Sequence, residues 1–275
     1  VFVVVAKEQL SPRLVRLHLG GPGFEQFFAG ADPEKLATTD KYVKMLFARP
    51  ELGLEPPYDL DALRETLPIE DLPVRRTYTM RSVDSSRGSI AVDFVIHGDE
   101  GVAGPWASSA QIGDVVALSG PGGQYRPAQD TDAWRLIAGD DSAIPAIASA
   151  LEALPATARG LALIEVDGPG HELEIDAPSS VEVRWLHRAK HADQDPLPYG
   201  SALVTELESI APHTGPTEVF IHGEREAMKR IATLLRTQWG IERRAMSLSA
   251  YWAAGRSEDA FQSEKRAPVG AIFAD

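Results

Sequence analysis

Apolar and polar residues alternate with a period of two through much of the first 128 positions. Residues 14–19 (Leu-Val-Arg-Leu-His-Leu) alternate and are then stopped by Gly20-Gly21-Pro22-Gly23. Residues 1–6, 42–47, 76–83, 90–97 and 114–118 carry similar short apolar runs bounded by turn residues, which predicts six strands in all. Six short strands suit a small closed antiparallel barrel. The proline-rich stretch 50–73 reads as a long loop, and residues 105–110 as a short helix.

After Tyr125-Arg126-Pro127-Ala128 the pattern changes to strands alternating with helices. Strands are predicted over 134–138, 161–166, 181–186 and 219–221, and helices over 142–154, 202–210 and 225–239. Pro145 falls in the first turn of its helix, where a missing N–H does no harm. Strand–helix alternation specifies a mostly parallel sheet covered by helices. The expected architecture is therefore β followed by α/β: a barrel over 1–128 and an α/β sandwich with a C-terminal tail over 129–275, two domains of ordinary size.

Composition narrows the function. The chain of 275 residues carries 27 Lys+Arg against 40 Asp+Glu, a net charge of −13. Residues 1–128 hold 13 basic and 17 acidic residues, leaving −4; residues 129–275 hold 14 and 23, leaving −9. Such a balance argues against a nucleic-acid or membrane-surface partner, both of which require a basic face. The absence of cysteine excludes disulfides, thiolate metal sites and a cysteine nucleophile, so any redox chemistry must come from a cofactor. No HExxH is present, and His187 and His191, four apart beside Lys190 and Asp193, read as a solvated turn; no metal site is expected. The longest apolar run, residues 1–6, is too short for a membrane span or a signal segment, which predicts a cytoplasmic protein. The chain opens in mid-strand without Met, so its native start is expected upstream of Val1. Nothing signals oligomerisation, and a monomer is expected.

The stretch with most chemical content is Arg75-Arg76-Thr77-Tyr78-Thr79-Met80-Arg81. Side chains alternate along a strand, placing Arg76, Tyr78 and Met80 on one face and Thr79 and Arg81 on the other. Such a strand offers an aromatic face for stacking, a hydroxyl beside it and a guanidinium suited to bidentate phosphate binding, the three needs of a flavin nucleotide. An edge strand with solvated arginines has the same pattern. Gly101 to Gly104, leading into the helix at Pro105, would leave backbone N–H groups free at a helix start, a natural pyrophosphate site, with Ser108 and Ser109 as further donors.

Arg76-x-Tyr78-Thr79-x-Arg81 resembles the RxYTxR flavin motif of the siderophore-interacting proteins, a branch of the ferredoxin-reductase superfamily. Further segments resemble that family in the same order: Val95-Ile96-His97-Gly98-Asp99 with Gly101-Val102-Ala103-Gly104-Pro105-Trp106-Ala107, then Ser119-Gly120-Pro121-Gly122-Gly123, Gly139-Asp140-Asp141-Ser142-Ala143-Ile144-Pro145, His222-Gly223-Glu224 and Tyr251-Trp252-Ala253-Ala254-Gly255-Arg256. The resemblance implies FAD held by Arg76, Tyr78, Thr79, Arg81, Val95, His97, Ala103, Gly104, Trp106, Ala107, Ser108 and Ser109, with Tyr251 and Trp252 closing over it. Trp106 serves equally as a core aromatic, and His97 as a structural histidine.

The resemblance also assigns Asp140, Asp141, Ser142 and Ala143 to the nicotinamide side. No GxGxxG is present and two carboxylates would repel a pyrophosphate, so a visiting rather than a resident NADH or NADPH is implied. An N-cap role for Asp140 or Ser142 holds in either case. Where the family often carries Arg after the Trp, this chain has Ala253, leaving Lys44, Arg126 and Arg256 as cations for an anionic ferric siderophore; each also reads as a solvated surface residue. The implied activity is an FAD-dependent ferric-siderophore reductase fed by NAD(P)H and releasing Fe(II) in the cytoplasm. A ferredoxin-fed version and a non-catalytic siderophore- or flavin-binding module are the alternatives.

Overall fold

A computed structural model describes all residues except 97, 99, 100, 130, 131, 189–196, 274 and 275. The chain forms two units, residues 1–126 and 127–275, the division falling two positions before residue 128.

In the first unit, β1 (Phe2–Ser11) and β2 (Leu14–Gly20) are followed by α1 (Gly23–Ala29), α2 (Pro33–Leu36) and β3 (Tyr42–Phe47). Then come α3 (Leu60–Thr66), β4 (Val74–Asp84), β5 (Ser89–Val95), α4 (Ala103–Ser109) and β6 (Val115–Gly122). The six strands close in the order β1-β2-β5-β4-β3-β6, each pair antiparallel, with Phe2 opposite Val116 at the closure. Alternation fills the interior: Val43, Met45 and Phe47 of β3 are buried beside Val15, Leu17 and Leu19 of β2, while Lys44 and Leu46 remain half-buried. The stretch 50–73, expected as a loop, contains α3 between two short 3-10 turns. α1 was also unexpected. Phe24, Phe27 and Phe28 pack on the barrel core, Phe27 edge-on to Phe2 at 5.7 Å, so an aromatic triplet spaced for one helical face decides this segment. Gly23 allows the helix to start there, since a Cβ would lie 2.0 Å from the Val1 carbonyl oxygen.

The second unit contains β7 (Trp134–Asp140), α5 (Ile144–Glu152), β8 (Gly160–Val166), β9 (Val181–His187) and α6 (Ser201–Ser209). It continues through β10 (Thr217–Glu224), α7 (Arg225–Thr237), β11 (Met246–Trp252) and α8 (Glu258–Glu264). Its strands run parallel in the order β11-β10-β7-β8-β9. Strand β11, unexpected from the sequence, makes the Tyr251-Trp252 pair the end of an edge strand. Interior strand β8 is buried almost throughout, as expected for a parallel strand covered on both faces, and its one charged side chain, Glu165, is fully buried. Met228, Ile231 and Leu235 form the apolar stripe with which α7 covers the sheet. Strand order reverses between β7 and β10, and the crevice outside the carboxyl ends at such a reversal is where open α/β sheets bind ligands.

Candidate functional site

The first candidate site is built on β4. Tyr78 and Met80 face the core, and the Tyr78 ring lies 4.4 Å from that of Phe94. The contacts continue from Phe94 to Trp106 at 5.9 Å and from Trp106 to Phe47 at 5.2 Å, forming a continuous aromatic wall. Trp106 is half-buried and packs against the core. Thr79 is buried and Arg76 half-buried beside Tyr78. A β-bulge between Met80 and Ser82 makes Arg81 the extra residue, so the strict alternation that paired Thr79 with Arg81 does not reach Arg81.

Helix α4 starts at Ala103, two residues before the expected Pro105, with no side-chain cap at Val102. Ala103 and Ala107 are buried beneath it, and a Cβ on Gly104 would meet only the Val95 carbonyl oxygen, at 3.6 Å. Gly98 and Gly101 turn the preceding chain with φ of 59° and 79°, into open space. This uncapped, glycine-led start suits a phosphate, so the residues present fit a flavin nucleotide: an aromatic face, a buried hydroxyl, a guanidinium and a helix start with no side-chain cap. Ser108 is exposed and its carbonyl accepts from Lys7 Nζ at 2.6 Å, while the Ser109 hydroxyl donates back to the Pro105 carbonyl at 2.9 Å, so Ser109 is engaged within its own helix. Val95 ends β5 opposite Leu14; His97 and Asp99 lie outside the described residues.

Lys44 stands on β3 opposite Thr77 of β4 and Ser119 of β6, half-buried, with no ion pair among the described residues. Arg126 is exposed and donates from Nε to the Ala37 carbonyl at 3.3 Å. Arg256 pairs with Glu264 at 2.9 Å, which balances its charge locally.

In the second unit Asp140 ends β7 and accepts four hydrogen bonds. Oδ1 takes the Ser142 N–H at 3.0 Å and hydroxyl at 2.5 Å; Oδ2 takes the Glu224 N–H at 2.8 Å and the Trp252 indole N–H at 2.9 Å. Burial, together with the neighbouring Asp141, pushes its pKa upward against these donors. Asp141 pairs with Arg188 at 3.3 Å, and burial raises its pKa as well. Ala143 is fully buried, and Ser142 precedes α5 in a 3-10 turn, so the N-cap reading applies to Asp140 through Ser142. Trp252 packs edge-on against Tyr199 at 4.6 Å, and Tyr251 against His222 at 4.9 Å.

Three residues to which the sequence assigned no role of their own dominate this end of the sheet. Arg188, 2% exposed, bonds Glu165, Asp167 and Asp141, and its guanidinium lies 4.4 Å from the centre of the Tyr199 ring. Burial opposes its charge, but the three carboxylates more than offset this and raise its pKa. Glu165 accepts from the N–H groups of Gly200, Ala202 and Leu203, and Glu224 from those of Glu226, Ala227 and Ala254. A carboxylate closing an apolar strand just before a helix was the available signal for Glu224; none marked Glu165 or Arg188.

A closed six-stranded antiparallel barrel followed by a parallel five-stranded sheet is the fold of the ferredoxin reductases. The Plasmodium falciparum ferredoxin-NADP+ reductase shares this fold, with a TM-score of 0.62 at 14% identity over 91% of this chain and 95% of its own. Residues 3–125 match the siderophore-interacting FAD-binding domain and residues 132–255 the siderophore-interacting protein domain. An uncharacterized Mycobacterium tuberculosis protein is 43% identical over 96% of this chain and 94% of its own length. The ferric vibriobactin reductase of Vibrio cholerae is 32% identical, covering 74% of this chain and 73% of its own. The NADPH-dependent ferric-chelate reductase of Escherichia coli is 27% identical over 91% of each. A siderophore utilization protein from T. fusca superposes with a TM-score of 0.76 at 32% identity over 93% of each chain. The chain belongs to the siderophore-interacting protein family.

Proposed function

We propose that this protein is an FAD-dependent ferric-siderophore reductase that draws electrons from NAD(P)H and releases iron as Fe(II) in the cytoplasm. The observation that carries the reading is the β4 strand itself, with Arg76, Tyr78 and Thr79 within four positions of one another, together with an aromatic wall and an uncapped helix start. The names of the V. cholerae and E. coli relatives support the reaction, and the latter supports NADPH as donor.

In this reading Tyr78 would provide the stacking face, Arg76 and the N-terminus of α4 at Ala103 and Gly104 would hold the pyrophosphate, and the Thr79 hydroxyl would donate a hydrogen bond to the flavin. Bound FAD supplies a centre that accepts a hydride and gives up single electrons. One hydride carries two electrons, enough for two ferric siderophores. On the first unit, Lys44 and Arg126 attract the anionic chelate, whereas Arg256 is engaged by Glu264; no residue need act as acid, base or nucleophile. Fe(II) is held more weakly than Fe(III) by hard oxygen ligands, so reduction itself loosens the metal.

The test is anaerobic. The purified protein is loaded with FAD, reduced with NADH, NADPH or reduced ferredoxin, and then mixed with ferric siderophores while flavin absorbance is followed. Reduction by a pyridine nucleotide and reoxidation by the chelate are expected. Reduction by ferredoxin alone replaces the donor, and failure of every chelate to reoxidise the flavin leaves only a binding module.

A further inference from the structure

Helix N-termini at the carboxyl end of a parallel sheet are where dinucleotide-binding units hold phosphate, because their first N–H groups lack intrahelical partners. In the second unit the chain fills these positions itself. Asp140, ending β7, takes the Ser142 N–H at the entry to α5; Glu165, near the end of β8, takes those of Gly200, Ala202 and Leu203 at the start of α6; Glu224, ending β10, takes those of Glu226 and Ala227 at the start of α7. All three carboxylates are at least 96% buried, with Glu165 at 0% exposure. Asp140 and Glu224 are also tied to each other, since Asp140 accepts the Glu224 N–H, and Glu165 is further held by Arg188. A phosphate entering any of these places would have to expel a bonded carboxylate and leave its charge buried. The exclusion is thus one of occupied donors. The repulsion expected of Asp140 and Asp141 adds to it, since Arg188 shares its one charge among Asp141, Glu165 and Asp167.

We propose that Asp140, Glu165 and Glu224 are specificity-determining residues whose carboxylates occupy the phosphate positions at this sheet end, so that the adenylate half of a pyridine-nucleotide donor adds little to its binding. The proposal rests on the reductase reading for the identity of the donor. Its test does not require electron transfer.

The FAD-loaded protein is titrated by calorimetry with ADP, with inorganic pyrophosphate, and with NAD+ against nicotinamide mononucleotide. For the wild type, no saturable binding of ADP or pyrophosphate below about 1 mM is expected, and NAD+ and the mononucleotide should agree within about threefold. Glu165→Ser, which frees three N–H groups and leaves Arg188 nearby, should gain pyrophosphate binding by at least about tenfold, and Glu224→Ser provides the same test at α7. ADP binding to the wild type in the micromolar range overturns the proposal whatever the variants do. Folded serine variants that gain nothing also overturn it. A flavin that no dinucleotide reduces would defeat the reductase reading, while the ADP and pyrophosphate titrations would still decide the exclusion.

Discussion

Replacing Asp140 by Asn tests the second unit at the point where three strands converge. The carboxylate accepts two donors on each oxygen, and three of the four are N–H groups that can only donate. Asn offers one acceptor oxygen and one donor nitrogen. Its better orientation places the oxygen on the Glu224 N–H and Trp252 indole and the amide on Ser142, whose hydroxyl can turn to accept. The Ser142 N–H is then orphaned, a loss of about 1–3 kcal/mol, and the remaining bonds lose their charge assistance, for a total of about 2–4 kcal/mol. Trp252→Phe, which removes one half-buried bond, should lose about 1 kcal/mol and be less than additive with Asp140→Asn. Four of the five tryptophans, 134, 185, 239 and 252, lie in the second unit, so urea unfolding followed by tryptophan fluorescence reports mainly on it. A midpoint shift of this size with an unchanged denaturant slope is expected, or a drop in Tm of about 5–15 °C. Asn within about 0.5 kcal/mol of the wild type would refute the reasoning, because a carboxyl whose raised pKa left it protonated at pH 7 is what Asn imitates.

Burial, with a smaller contribution from Lys265, depresses the pKa of His222 from 6.5 to about 3. The stability held by its neutral form is complete above pH 6.5 and is lost at about 1.4 kcal/mol per pH unit as pH falls toward 3, so His222→Gln should flatten the difference in unfolding free energy between pH 7 and pH 5. Gly200 has φ of +76°, and a Cβ there would lie 2.1 Å from that of Ala227; Gly200→Ala should destabilise the second unit by more than about 2 kcal/mol in thermal unfolding. Arg76→Ala should weaken FAD binding about tenfold or more, read as flavin retained after dialysis, with Tm of the FAD-free protein unchanged; Tyr78→Ala would combine that effect with lost packing on Phe94. Lys44→Ala should raise KM for an anionic ferric siderophore several-fold without changing the rate of flavin reduction, and an equal KM would assign Lys44 to the solvated wall.

The strands of both units were largely legible because their burial is local and periodic: residues 14–19 and 42–47 show their faces by alternation, and β8 by its continuous apolar run. Strand β11 was hidden because only Met246 and Ala250 of its seven residues are buried, so neither period appears. The glycine cluster at 20–23 reads as a stop although it opens α1. The candidates on β4 could be read residue by residue because they lie within the short stretch 76–81. The sheet end could not be, because its bonds join residues far apart in the chain, as in Glu165 to Leu203 and Asp140 to Trp252, and because a buried Arg188 looks in sequence like any surface arginine.

The bond from Asp140 to Trp252 spans 112 residues, and it sets a timetable for synthesis. The barrel has all its strands once β6 has emerged, since Phe2 then finds Val116. β7 must wait for β10, and β10 in turn for β11. At roughly 5–20 residues per second, about 5–20 s separate Asp140 leaving the ribosome from the arrival of Trp252. One edge of β7 stays unpaired until β10 emerges, and through the whole interval Asp140 and Glu224 lack the donors that Trp252 and Ala254 bring. A chain halted before residue 252 should therefore retain a folded barrel attached to a sticky, protease-sensitive remainder.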